Sequence, residues 1–183
     1  MIDRFRSVMC TAWMAVFHPS VKTKGRHAVR PGTEIVLSRG GELSLGKDAA
    51  AHRRVTLSVI GGKLTVGDGT AFSRNDIVVC HDRITIGNRC AFGPNVVVYD
   101  HDHVFDAQGF RSAEFHTGPI VIEDDCWIGA NTVILKGAHI GAGSVIGAGC
   151  VIQGTIPPHS LVKTDRTLTI RPIEDRPEQG GAH

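Results

Sequence analysis

Aromatic side chains are scarce in this chain of 183 residues: two Trp, one Tyr and seven Phe, too few for a core built on stacked rings. An excess of one charge is also missing. Twenty basic against eighteen acidic residues leave a formal charge of +2, too mild to argue for a nucleic-acid partner. Cysteine is sparse and irregular. Cys10, Cys80, Cys90, Cys126 and Cys150 are odd in number and include no CxxC pair. That weighs against a disulfide framework or a zinc ribbon and points to reduced thiols in a cytoplasmic setting. Three of these cysteines fall inside repeat turns, where a small buried apolar residue fits. Long apolar runs are absent too. "VMCTAWMAVF", residues 8–17, is too short to span a bilayer. The "HPSVKTKG" after it offers no small-x-small cleavage site. Ile2, Phe5, Met9, Trp13 and Val16 fall at spacings of three and four, which predicts a short amphipathic N-terminal helix. Basic residues flank it, so peripheral membrane contact is its second reading.

What is present is glycine, 22 residues of it, and a fixed rhythm. In "CWIGANTVILKGAHIGAGSVIGAGCVI", residues 126–152, Ile128, Ile134, Ile140, Ile146 and Ile152 stand six apart, and Ile122 extends the series backwards. A helix needs spacings of three and four, and a simple strand alternates by two. An interval of six fits a solenoid assembled from hexapeptides, each pointing one aliphatic residue inward. Three hexapeptides close one turn of about 18 residues, and stacked turns pair each strand with those above and below. Upstream, Val66, Phe72 and Val78 keep the interval, and so do Ile86, Phe92 and Val98. The shift between the two sets implies a two-residue insertion near "CHDR", residues 80–83. Farther back the alternation persists but the register slips.

The predicted organisation is therefore all-β. Residues 1–30 form the helix and lead-in, 31–158 the solenoid, and 159–183 a tail. The solenoid should start near Thr33, with Pro157 and Pro158 stopping strand pairing by withholding two amide donors. The closing "EDRPEQGGAH" reads as disordered. One interval is not solenoid. From about residue 99 to 119 the chain carries charges and histidines where inward aliphatics belong, yet Val98 and Ile122 are still 24 residues apart. A loop thrown out from a continuous coil accounts for this, and loops on rigid scaffolds often carry chemistry.

These residues resemble a known family. The tract "IGAGSVIGAGCVI", the "DDCWIG" corner and the loop with "DHDHVFD" are similar to the hexapeptide-repeat O-acetyltransferases. Members acetylate maltose, galactosides and other sugars, with looser kinship to capsule and exopolysaccharide enzymes. The resemblance covers residues 60 to 160. It implies a left-handed parallel β-helix, an exception to the right-handed crossover rule. It further implies a homotrimer with active sites between subunits, acetyl-CoA as donor and a sugar or glycan hydroxyl as acceptor. No metal is expected.

Acyl transfer to an alcohol needs a base that works near neutrality, and the unperturbed pKa of His, about 6.5, suits it. His103 lies nine residues after Pro94 and 24 before Trp127, which is where the family places its catalytic His. His101 is the reserve. Asp100, Asp102 and Asp106 are interleaved with them and could orient a base. No Cys or Ser sits in a nucleophile motif, which favours direct attack over an acyl-enzyme. Trp127 matches the family's Trp beside the donor and acceptor cleft. Asn75, His81, Asp100 and Asp102 are further acceptor-contact candidates, although Ser73 and His81 replace the Asn and Asp the family would show. Gly129, Ala130, Ala148 and Gly149 would let a pantetheine arm approach the backbone. After Pro158 the chain departs from the family's "AGxPAR"-like segment, leaving Lys163, Arg166 and Arg171 as candidates for CoA phosphates.

Two other readings stay open. A β-helical carbonic anhydrase would bind zinc through three histidines drawn from His81, His101, His103 and His116, but the His-x4-His spacing of that family is absent. A non-catalytic β-helix scaffold would leave the His-Asp loop without a purpose.

Overall fold

The computed structural model of the chain describes residues 20–25 and 27–165. The expected N-terminal helix lies outside them, as do Arg166, Arg171 and the rest of the tail. Every regular element they form is a β-strand. The strands make three parallel sheets of seven, seven and six strands, and one separate antiparallel pair. Along the chain, consecutive strands go to the first sheet, the second, the third, and back to the first. Val21–Thr23, Ala28–Val29 and Glu34–Ser38 open the three, and Glu42–Leu45, Ala50–Ala51 and Thr56–Ile60 lie against them in that order. The described residues thus build a three-sided parallel solenoid of seven coils, the seventh lacking its third side.

The six-residue rhythm maps onto the three faces. Val66, Ile86, Ile122, Ile140 and Ile156 form an inward ladder on the first face. Phe72, Phe92, Ile128, Ile146 and Val162 line the second face inside, with the two Phe rings 4.8 Å apart, centroid to centroid. Val78, Val98, Ile134 and Ile152 line the third. Five of the isoleucines, Ile122 to Ile146, are completely buried. Each contributes roughly 1.5–3 kcal/mol by leaving water, the main force holding the coils shut.

Repeat length explains what the sequence pattern missed. Val21 stands in register with Leu43, Leu43 with Leu64, Leu64 with Ile84, and Val121 with His139. The coil therefore shortens from 22 residues through 21 and 20 to 18. The 20-residue coil carries the two-residue insertion expected at "CHDR". Longer corners in the first coils hid a solenoid that begins at Val21 rather than near Thr33. At the other end, Leu161–Val162 still pairs with Val145–Ile146. Pro157 and Pro158 do not end the ladder, because they occupy a corner where no ladder amide is called for.

The corner between the second and third faces has a strict geometry. Gly32, Arg54, Asn75, Asn95, Asn131 and Gly149 follow one another coil by coil, all with φ between 57° and 83°. Asn and Gly tolerate this left-handed conformation best. The asparagines also form a ladder: the Asn75 amide donates to Asn95 at 3.0 Å, and that of Asn95 to Asn131 at 3.2 Å.

Next to this column stands a buried charge. Asp76 occupies a position that its neighbouring coils give to Val55 and Val96 and is 1% exposed. Its carboxylate accepts the backbone N–H of Ser73 at 2.7 Å and of Val96 at 2.9 Å. Burial outweighs these bonds and pushes its pKa up to about 6. Between the unfolded value near 4 and about 6, the folded chain holds more of this proton than the unfolded chain. Stability from Asp76 is therefore present at low pH and lost as pH rises through that window, by at most about 3 kcal/mol. Urea unfolding of wild type and Asp76→Asn should show their stability difference shifting against the wild type between pH 4 and 7. A difference that stays level with pH would contradict the assignment.

Candidate functional site

The candidate site grows from the corner between the third and first faces, where the fourth coil opens into an insertion. Val97–Tyr99 ends the third face, and Ile120–Ile122 resumes the first. Between them, His101–Asp106 and Gly109–Thr117 pair as an antiparallel hairpin with an irregularity after His103. Gly118 N–H donates to the Asp100 carbonyl at 2.9 Å, and Gly137 N–H to the Gly118 carbonyl at 3.2 Å, so the base of the hairpin is stitched to the stack. At the tip the Arg111 guanidinium grips Asp106 at 2.6 Å and holds that carboxyl below its usual range.

Asp100 is the keystone of this corner. It was expected among the acceptor contacts, but its side chain is fully buried. One carboxylate oxygen accepts the N–H of His81 and the other the N–H of Asp82, each at 2.8 Å. The first oxygen also lies 3.3 Å from His101 Nδ1. Its location precludes direct contact with an acceptor and suits a role in fixing both the corner and an imidazole.

Three histidines gather here around Phe115. The His81 and His101 rings stack with centroids 3.9 Å apart, and Phe115 lies 4.4 Å from His81, 5.2 Å from His101 and 4.8 Å from His103. Tyr99 meets the His101 ring edge-on. The His101 side chain is only 13% exposed, whereas His103 is open to solvent. Burial lowers the pKa of His81, and repulsion from a charged His101 lowers it further against the pull of Asp100. His81 thus stays neutral where an isolated imidazole would begin to charge. Asp102 is exposed and lies 3.4 Å from Lys136 Nζ, on the corner of the next coil. Phe115 and Lys136 carry no motif, and their part in the cluster follows only from the hairpin's register and the coil stack.

The remaining candidates lie elsewhere. Asn75 belongs to the asparagine ladder on the corner between the second and third faces. Gly129, Ala130, Ala148 and Gly149 occupy the same corner on the fifth and sixth coils. A Cβ on Gly129 would come 2.6 Å from Ala148 N, so the coil stack alone requires glycine there. Trp127 opens a strand of the second face, 57% exposed, paired with Ala91 and Val145. Lys163 is exposed beside the last strand of that face. Cys80, Cys90, Cys126 and Cys150 are free and buried, as core residues of the turns. Burial and the nearby Asp100 push the Cys80 thiol up to about 12, far from a reactive thiolate. Among the described residues no three His, Cys, Asp or Glu side chains are placed to hold a metal ion, so a three-histidine zinc site would need a second copy to complete it.

Comparison with known proteins gives this geometry a context. Residues 119–154 match the family model described as bacterial transferase hexapeptide (six repeats). A Staphylococcus aureus (strain COL) protein named as a putative acetyltransferase is 43% identical over 68 residues, 37% of this chain and 32% of that protein. The galactoside O-acetyltransferase of Escherichia coli (strain K12) is 39% identical over 66 residues, 36% of this chain and 32% of that protein. The chain thus spans about a third of the length of the curated relatives it matches. Among solved structures, AntD, an N-acyltransferase from Bacillus cereus in complex with dTDP and 3-hydroxybutyryl-CoA, superimposes with a TM-score of 0.67 at 17% identity, over 81% of each chain. The hexapeptide-repeat-containing acetyltransferase VCA0836 from Vibrio cholerae gives 0.54 at 24% identity, over 92% of this chain and 82% of that one. At these identities the structural likeness speaks for the fold.

Proposed function

We propose that the chain is an acyltransferase that moves an acetyl group from acetyl-CoA to a hydroxyl of a sugar or glycan, with His103 as general base. The single observation that carries this reading is the hairpin, which holds an exposed imidazole against Phe115 directly beside a second imidazole buried on Asp100. A base must come within hydrogen-bond reach of the hydroxyl it deprotonates. His103 offers that reach, while His101 is walled in by His81, Phe115 and Tyr99. The match to a transferase model and the CoA bound by the neighbour AntD support the donor assignment.

In the proposed step the acceptor oxygen attacks the thioester carbonyl as His103 takes its proton. The tetrahedral oxyanion is stabilised by a backbone N–H. On collapse the C–S bond breaks, and the thiolate of CoA recovers the proton from His103. The products are the acetyl ester and CoA thiol. His81, held neutral by burial, keeps a second positive charge away from the protonated His103.

The proposed assembly is a left-handed β-helix in a homotrimer. Its support is the outer side of the third face, where Val36, Ile77, Val79, Val97, Val133 and Val151 form an apolar strip ending at the histidine corner. Val151 is 66% exposed in the single chain. A neighbouring copy would cover the strip and bring Trp127 and Asn75 toward His103. The cytoplasmic setting rests on the free cysteines and the donor. The test is a screen of acceptor sugars with acetyl-CoA, following CoA thiol release and ester formation by mass spectrometry. Release that needs an acceptor supports the reading. No transfer to any hydroxyl, with transfer to an amino sugar instead, would replace it by N-acylation.

A further inference from the structure

On the corner between the second and third faces, the second and third coils carry arginines where the other coils carry Pro, Ala, Asn and Gly. Register places Pro31, Arg53, Arg74, Pro94, Ala130 and Ala148 in one column. Gly32, Arg54, Asn75, Asn95, Asn131 and Gly149 make the next column. Arg53 and Arg74 therefore sit on adjacent coils, about 4.8 Å apart along the stack.

Arg54 is the anomaly. It takes a left-handed φ of 60° in a column that elsewhere holds only Asn or Gly. That conformation is uncommon for a long side chain, and Arg39 shares it on another corner with φ of 52°. Arg89, at a φ of 54° on another corner, has a visible reason for being arginine: it forms two 2.6 Å bonds to Asp125. Among the described residues no carboxylate pairs with Arg53, Arg54 or Arg74. The three line an open groove of about 430 Å³ whose other walls are Pro31, Gly32 and Asn75. Gly32 leaves the floor clear, since even a Cβ there would come no closer than 3.8 Å to Arg54.

Three guanidinium groups with no acid among them repel one another until an anion joins them, and guanidinium forks fit phosphate oxygens two at a time. We infer that this groove binds a diphosphate group, carried by the acceptor of the acyl transfer: a sugar linked to a nucleoside diphosphate or to a lipid diphosphate. This substrate class rests on the transfer reading above, whereas the anion site does not. Asn75, expected as an acceptor contact, lies on its wall. The stretch expected to admit pantetheine occupies the same corner two coils beyond, leaving the groove to the other substrate.

The experiment is calorimetric titration of the full chain with inorganic pyrophosphate, uridine diphosphate and CoA, for wild type and an Arg53→Gln, Arg74→Gln double variant. Both positions are exposed, so the variant should melt as the wild type does. Pyrophosphate and uridine diphosphate should bind the wild type, weaken with salt, and lose about tenfold or more in affinity in the variant, while CoA binding stays the same. A variant that binds pyrophosphate as tightly as the wild type overturns the site. A parallel loss of CoA overturns the acceptor assignment and gives the groove to the donor. Co-sedimentation with phosphatidylglycerol vesicles forms a third arm: vesicle binding that needs the arginines, without pyrophosphate binding, overturns the diphosphate in favour of a membrane surface. Absence of acyl transfer to every acceptor would defeat the transferase reading and leave the titration standing on its own.

Discussion

Replacing His103 by Ala should lower kcat for acetyl transfer by about 10²- to 10⁴-fold while the chain melts at the wild-type temperature. The side chain is exposed at the rim of the hairpin, so its removal opens no cavity. Loss of the base leaves donor and acceptor contacts in place. KM should therefore move little, and the defect should concentrate in kcat. The competing base is His101, which has the better carboxylate partner. The two can be told apart by the pH profile. With His103 as base, His101→Ala weakens activity less and keeps the acid limb of the kcat/KM profile, because the group titrating on that limb is still present. An acid limb that vanishes in His101→Ala but persists in His103→Ala would reverse the roles.

Asp100→Ala should cost on the order of 3 kcal/mol of stability and most of the activity together. The carboxylate is fully buried and satisfies two backbone N–H groups at 2.8 Å, those of His81 and Asp82. Truncation leaves both donors unpaired in a part-buried corner, and each such loss costs roughly 1–3 kcal/mol. The same carboxylate steadies His101, against which His81 stacks, so the imidazole cluster loosens as the corner does. Asp100→Asn is the informative control. Its amide oxygen accepts one N–H, but its NH₂ meets the other as donor against donor, so its stability should fall between Ala and wild type. Chemical denaturation reads the stability, and amide exchange at His81 and Asp82 should speed up in the same order. An Asp100→Ala protein within about 0.5 kcal/mol of wild type would remove Asp100 from its structural role, because ordinary surface substitutions stay inside that range.

Legibility in the sequence followed chain distance. The coils from Val66 onward were readable because a residue every six positions must face inward on a three-sided coil, and Ile122 to Ile152 obey this without interruption. The first coils were not, since coils of 21 and 22 residues, with longer corners, break the interval although the faces remain in register. Pro157 and Pro158 misled for a related reason: a proline stops a ladder only where a ladder amide is needed, and the corner that holds them needs none. Within the site, the histidines and Asp100 stood out as polar residues in an aliphatic rhythm. Their division of labour did not, because Asp100 acts on amides 18 and 19 positions away in the coil below.

The sequence by itself therefore determined the architecture, because inward facing is a property of each residue's place in a short repeat. Only the tertiary structure decided which polar groups meet. Stacking and the hairpin bring Asp100 onto His81, Phe115 among three imidazoles, Lys136 to Asp102, and Arg53 beside Arg74, and each of these contacts depends on hairpin or coil-to-coil register that the local sequence does not encode.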